Sequence, residues 1–108
     1  MKYLALVCLA AATLLAQETS EQRDAKHHFD LAAIRAAANF RSADSIDARL
    51  RDEGVVLHPR LTALRMRIEA ALSEARFEMD QHAYPAAEEA LGRADALLDR
   101  FAREIGGY

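Results

Sequence analysis

The residues best suited to metal chemistry lie near the end of the second predicted helix. Glu78 and His82 are one helical turn apart, and Asp80 and Glu88 are close in sequence. Carboxylate and imidazole groups bind zinc and iron. Helical di-iron sites need Glu-x-x-His on two helices, whereas this chain has one Glu-x-x-x-His. A small-ligand or metal-binding bundle using this acidic end is therefore the alternative hypothesis, and the favoured interpretation assigns no metal ligand and no cofactor.

Other residue types that carry chemistry are arranged less favourably. His27 and His28 are adjacent, so on a helix their side chains point about 100° apart and do not converge on one ion. Asp24, one turn before His28, is expected to form an ordinary surface pair with it. The serines lack a glycine-rich elbow, and the only cysteine, Cys8, lies in an N-terminal apolar run. We therefore expect no enzymatic activity.

The N-terminus has the pattern of a secretory signal peptide. Lys2 precedes an apolar run from Tyr3 to Ala16, and polar residues follow. The run is shorter than the roughly 20 residues that span a bilayer. We expect a signal peptide at 1–16, with cleavage after Ala16 preferred to cleavage after Ala12, and one mature domain at 17–108. The mature chain would be periplasmic or extracellular, without disulfides or a stable membrane anchor.

Composition favours helix and disfavours nucleic-acid binding. Of the 108 residues, 52% are hydrophobic but only 6% are aromatic, and alanine makes up much of the apolar share. Alanine, leucine, arginine and glutamate are strong helix formers. The net charge is −3, so we expect no nucleic-acid partner.

Two prolines and two glycines mark helix boundaries. Pro59 and Pro85 each open a periodic apolar segment, and Gly54 and Gly106 fit the left-handed residue that often ends a helix. The last segment has the clearest seam, with apolar residues at alternating steps of three and four. Its members are Tyr84, Ala87, Leu91, Ala94, Leu98, Phe101 and Ile105.

The middle segment, 59–82, has two apolar stripes. A main seam is predicted at Leu61, Leu64, Ile68, Ala71 or Leu72, Ala75 and Met79. A second stripe lies nearly opposite, at Met66, Ala70, Ser73 and Phe77. A helix that is apolar on two sides is usually sandwiched, so we expect this helix in the middle of the fold.

The first segment, 19–53, contains neither glycine nor proline. It can be interpreted as one long helix, but Asn39 and residues 42–45 are weak helix formers, and we expect a bend or break near 39–44. The predicted fold is all-α, an antiparallel bundle of three long helices, or of four if the first is broken.

The run Tyr84-Pro85-Ala86-Ala87-Glu88-Glu89-Ala90-Leu91-Gly92-Arg93-Ala94 resembles the second helix of a tetratricopeptide repeat. The preceding helix departs from the family pattern, because Glu74 and Glu78 stand where the family has packed apolar residues. There is no second copy at a 34-residue period. The resemblance implies a helical hairpin of the protein-binding kind and transfers no peptide-contacting residue to this chain.

The remaining features suggest protein contact as the function. Arginines gather towards one end of the predicted bundle and acids at the other, either as a solvated, partly neutralised surface or as a docking end for an acidic partner. The second stripes are either buried by a fourth helix or exposed as an interface. We expect an exported scaffold, adaptor or chaperone-like module that binds a protein partner or itself. The candidate contact residues are Leu31, Ile34, Met66, Phe77, Arg60, Arg65 and Arg67.

Overall fold

Residues 2–108 form three α-helices. The computed structural model describes the backbone of residues 2–108 and the side chains of residues 20–108. Helix α1 spans Lys2–Asp52, α2 spans Pro59–Asp80 and α3 spans Tyr84–Ile105, and no strand occurs among the residues described. The all-α prediction is therefore confirmed. The side chains of the predicted signal peptide, 1–16, lie outside the described residues, and no described helix is both long enough and apolar enough to span a membrane.

Helix α1 is continuous through the region where we expected a bend or break. It remains helical across residues 39–44, so the bundle has three helices and not four. Ser42, Asp44 and Ser45 are exposed, where weak helix formers cost only a few tenths of a kcal/mol each. Ala36, which precedes these residues, and Ala43, which lies among them, are buried in the core. Tertiary packing thus outweighs the local propensity.

Helices α2 and α3 form an antiparallel hairpin, and α1 lies along it. Residues 81–83 join α2 to α3, with His82 at φ 58°, and residues 53–58 join α1 to α2, with Gly54 at φ 75°. Gly54 has the predicted left-handed conformation, whereas Gly106, at φ −60°, does not. Because consecutive helices reverse direction, α1 runs parallel to α3.

The central helix is α3, which corrects the prediction that α2 is sandwiched. Helix α1 packs more extensively on α3 than on α2. All seven residues of the predicted α3 seam are buried, and Ala90 joins them. Helix α2 buries Leu61, Leu64, Ile68, Ala71 and Ala75 and leaves its second stripe in solvent.

Alanines let α1 approach the hairpin closely. Ala25, Ala32, Ala36 and Ala43 are at most 3% exposed, so the backbone of α1 lies near its neighbours. Phe40 adds the main aromatic contact, with its ring 5.5 Å from that of Phe101 in an edge-to-face arrangement. The core is thus thin on the α1 side and is filled mainly by α3.

Candidate interaction surfaces

The second stripe of α2 is an exposed apolar surface. Met66, Ala70, Ser73 and Phe77, which we call the α2 outer face, are all exposed to solvent. Met66 is 65% exposed and Phe77 is 61% exposed. Complete burial of each of these side chains would stabilise a complex by at most roughly 1.5–3 kcal/mol. The interpretation in which a fourth helix buries this stripe is therefore wrong.

A second exposed apolar pair lies on α1. Leu31 is 55% exposed and Ile34 is 66% exposed, and the two lie one turn apart on α1. Sequence reasoning missed a third exposed site, because Val55 and Val56 in the α1–α2 loop are also in solvent. Their position beside a predicted helix end was the available signal, since loop residues are usually exposed.

Two of the three candidate arginines are engaged within the chain. Arg60 lies 3.7 Å from Glu104, and Arg65 lies 2.8 Å from Asp44 and 3.6 Å from Glu69. The Arg65 guanidinium also lies 4.5 Å above the Phe40 ring. Arg67 is exposed, and no ion pair involving it occurs among the side chains from residue 20 onward. Arg67 is thus better placed than Arg60 or Arg65 to meet a partner.

The arginine-rich end of the bundle is largely neutralised by carboxylates. Arg51 pairs with Asp47 at 3.0 Å, and Arg100 pairs with Glu104 at 3.5 Å, in addition to the pairs of Arg60 and Arg65. The carboxylates that neutralise this end come from all three helices, since Asp44 and Asp47 lie on α1, Glu69 on α2 and Glu104 on α3. The arrangement favours a solvated surface over a bipolar docking end.

His28 links α1 to α3 through both ring nitrogens. Its Nδ1 lies 2.5 Å from Glu88 Oε2, and its Nε2 lies 2.7 Å from Asp95 Oδ2. A neutral imidazole donates from one nitrogen only, so both contacts are hydrogen bonds only when the ring is protonated. The hydrogen bonds to Asp95 and then Glu88 raise the pKa of His28 above its ordinary value of 6.5.

The His28 contacts correct the expectation that His28 pairs with Asp24. Its two partners come from α3, seven residues apart on that helix. Arg35 makes a further α1–α3 ion pair with Asp99, and Arg93 joins α3 to Glu74 of α2 at 2.6 Å. Spacing within one helix could not reveal these partners, because they depend on how α1 and α3 align.

The acidic end near Glu78 contains no assembled metal site. His82 Nδ1 lies 2.8 Å from the Tyr84 hydroxyl, and the carbonyl of Glu78 accepts a hydrogen bond from the amide of Ala83. Within the part of the chain that the structure describes, no three His, Cys, Asp or Glu residues are grouped so as to hold an ion. No hydrogen bond or ion pair joins Glu78 to His82 among the described residues.

Two surface cavities of the described residues are open grooves between helices. One of about 440 Å³ lies between α1 and the start of α2 and has Asp44, Asp47, Arg51 and Arg65 on its walls. Another, between α1 and α3, is lined by His28, Leu31 and Asp95 among others. Charged side chains that are already paired with one another line both grooves.

Comparison with known proteins found no relative of this chain. No family model, no curated protein and no solved structure matches it. The resemblance of residues 84–94 to a tetratricopeptide helix therefore stays a prediction.

Proposed function

We propose that this chain is an exported, non-enzymatic helical module that acts through protein contact, as a scaffold, adaptor or chaperone-like factor in a cell envelope. The observation that carries the proposal is the exposure of four large apolar side chains, Leu31, Ile34, Met66 and Phe77. Large apolar groups grouped on a helix face outside a closed core are typical of binding surfaces.

Export is supported by the N-terminal pattern. A single lysine followed by an apolar run and then polar residues is the arrangement that export machinery recognises. The chain after residue 16 has no cysteine, so its stability in an oxidising compartment would depend on helix packing alone. The closed core around Leu91, Leu98 and Phe101 is suited to that role.

Photo-cross-linking in the cells that export the chain tests the proposal. A photo-activatable amino acid is placed at Leu31, Ile34, Met66 or Phe77 of the full chain, one position at a time. We expect discrete protein adducts from at least one helix face. Matched control positions are Glu89 and Arg103, which are exposed on α3 outside the apolar stripes, and these should give none.

The adducts also separate the kinds of partner. An adduct of twice the chain mass indicates self-association, and a heavier or lighter one indicates a foreign protein. No adduct at any of the four apolar positions, in cells where the chain is folded and exported, would contradict the proposal.

A further inference from the structure

We infer that the α2 outer face binds the same face of a second copy, with the two α2 helices antiparallel about a two-fold axis. This inference deepens the proposed function and rests on it, because it names the partner of one of the exposed surfaces. The evidence is a symmetry in the order of both the apolar and the charged residues along this face.

The apolar order on the α2 outer face reads the same in both directions. Met66, Ala70, Ser73 and Phe77 follow one another at steps of four, three and four, with large side chains outside and small ones inside. An antiparallel copy centred between residues 71 and 72 therefore places Met66 opposite the partner's Phe77. The same axis places Ala70 opposite the partner's Ser73. Small residues at the crossing point let the two helices approach closely.

The charges beside this stripe are self-complementary in the same arrangement. Arg67 and Glu74 border one side of the stripe, Glu69 and Arg76 border the other, and all four are exposed. In an antiparallel pair each border meets the same border of its partner. Arg67 then lies beside the partner's Glu74, and Glu69 lies beside the partner's Arg76. The offset along the helix axis is two residues, about 3 Å, which these long side chains can span.

The two-fold axis repeats each of these pairs, so the interface would contain four ion pairs between the copies. A parallel in-register pair would place Glu69 beside the partner's Arg67 and Arg76 beside the partner's Glu74 at the same offset. The charge order thus favours pairing of this face with itself, and the cysteine test below decides the direction. An interface in which one patch is its own complement is the mark of a closed two-fold dimer.

The existing intrachain pairs are compatible with this dimer. Glu74 accepts from Arg93, and Glu69 lies 3.6 Å from Arg65, but both carboxylates are more than half exposed. A carboxylate has two oxygens and can accept from two arginines. The apolar contact is short, spanning three helical turns, so we expect a dissociation constant on the order of micromolar.

A register test uses two single-cysteine variants of the full chain. Met66→Cys and Phe77→Cys are each made together with Cys8→Ser and are mixed under mild oxidation. In the antiparallel dimer the two new thiols are opposite each other, and the other Met66–Phe77 pair stays native. Two thiols at position 66, or two at position 77, are separated by about 16 Å along the axis and cannot bridge. The mixture should form disulfide dimers, and neither variant alone should do so.

A charge-swap test isolates the border pairs. Glu69→Arg alone and Arg76→Glu alone should each weaken dimerisation about tenfold in sedimentation equilibrium, because each replaces two attractive pairs by repulsive ones. The double variant restores opposite charges and should return to within about threefold of the unchanged chain. Arg103→Glu, an exposed reversal outside the stripe, is the control and should change nothing. Circular dichroism verifies that each variant is folded.

The outcomes separate this inference from the proposed function. Equal cross-linking by the mixture and by either variant alone would overturn the register, and failure of the double swap to restore dimerisation would overturn the charge pairing. A chain that is monomeric at all concentrations overturns the dimer itself. Photo-adducts from Met66 or Phe77 to a foreign protein would then leave the proposed function intact, whereas their absence from all four apolar positions would remove both.

Discussion

The described residue with the most distinctive environment is His28. It is the only described histidine whose two ring nitrogens both contact carboxylates, and the partners belong to a different helix. Arg35 and Asp99 line the same groove as His28 and are paired with each other, and Glu21 and Asp24 line a neighbouring groove with Glu88. A protonated His28 therefore joins α1 to α3 in an acidic surrounding.

This environment predicts a pH dependence of stability. The pKa of His28 is raised in the folded chain, so its contribution is fully present below its unfolded value of 6.5 and is lost as pH rises through the folded pKa. The thermal midpoint of the unchanged chain should fall between pH 6 and a pH above that folded pKa. In His28→Gln that part of the fall should disappear. His27→Gln, an exposed neighbour without these contacts, should keep it.

An unchanged pH slope in His28→Gln would show that the bridge contributes nothing to folding.

The contacts of His28 could not be predicted from the sequence, although its partner residues can be found in it. Glu88 and Asp95 lie two turns apart on one side of α3, but the alignment of α1 with α3 is set by the whole bundle. Exposure of Leu31 and Ile34 was one of two open alternatives for the same reason.

At the scale of the helices, the apolar periodicity predicted which residues are buried better than helix propensity predicted where a helix is interrupted. The α3 seam was fully predictable because its apolar residues occupy one side only. Exposure of the second α2 stripe was one of two open alternatives, because sequence alone does not show whether an apolar face meets the core or a partner. Local propensity also misplaced a break in α1, since a few exposed serines weigh less than the buried alanines beside them.

Two glycines allow opposite tests of this account. Gly92 is exposed within α3, and a methyl group added there would meet no atom within 4 Å. Gly92→Ala should therefore raise the free energy of unfolding by about 0.5–1 kcal/mol in urea denaturation. Gly54 is equally open but has φ 75°, so Gly54→Ala should lower it by about 1 kcal/mol. A loss of stability in Gly92→Ala would mean that α3 is not helical or not exposed at that point.

At the scale of the whole molecule, the surface has an arginine-rich end whose charges are largely neutralised by carboxylates. It also has apolar helix faces that the described chain does not cover. The intrachain ion pairs of Arg60 and Arg65 make long-range charge a weak reason for association. The α2 outer face offers a stronger one, because its apolar side chains lose contact with water when two copies meet. Replacing Met66 and Phe77 by polar residues should thus weaken association more than raising the ionic strength does.

Light scattering after size exclusion, at low and high salt, tests whether the chain dimerises through the α2 outer face. The unchanged chain should show a mass that rises with concentration from one chain towards two, and high salt should weaken the dimer without abolishing it. Met66→Gln with Phe77→Gln should remain monomeric, and the matched pair Leu31→Gln with Ile34→Gln should still dimerise. A monomer mass for the unchanged chain at every concentration and in both salts would contradict the account.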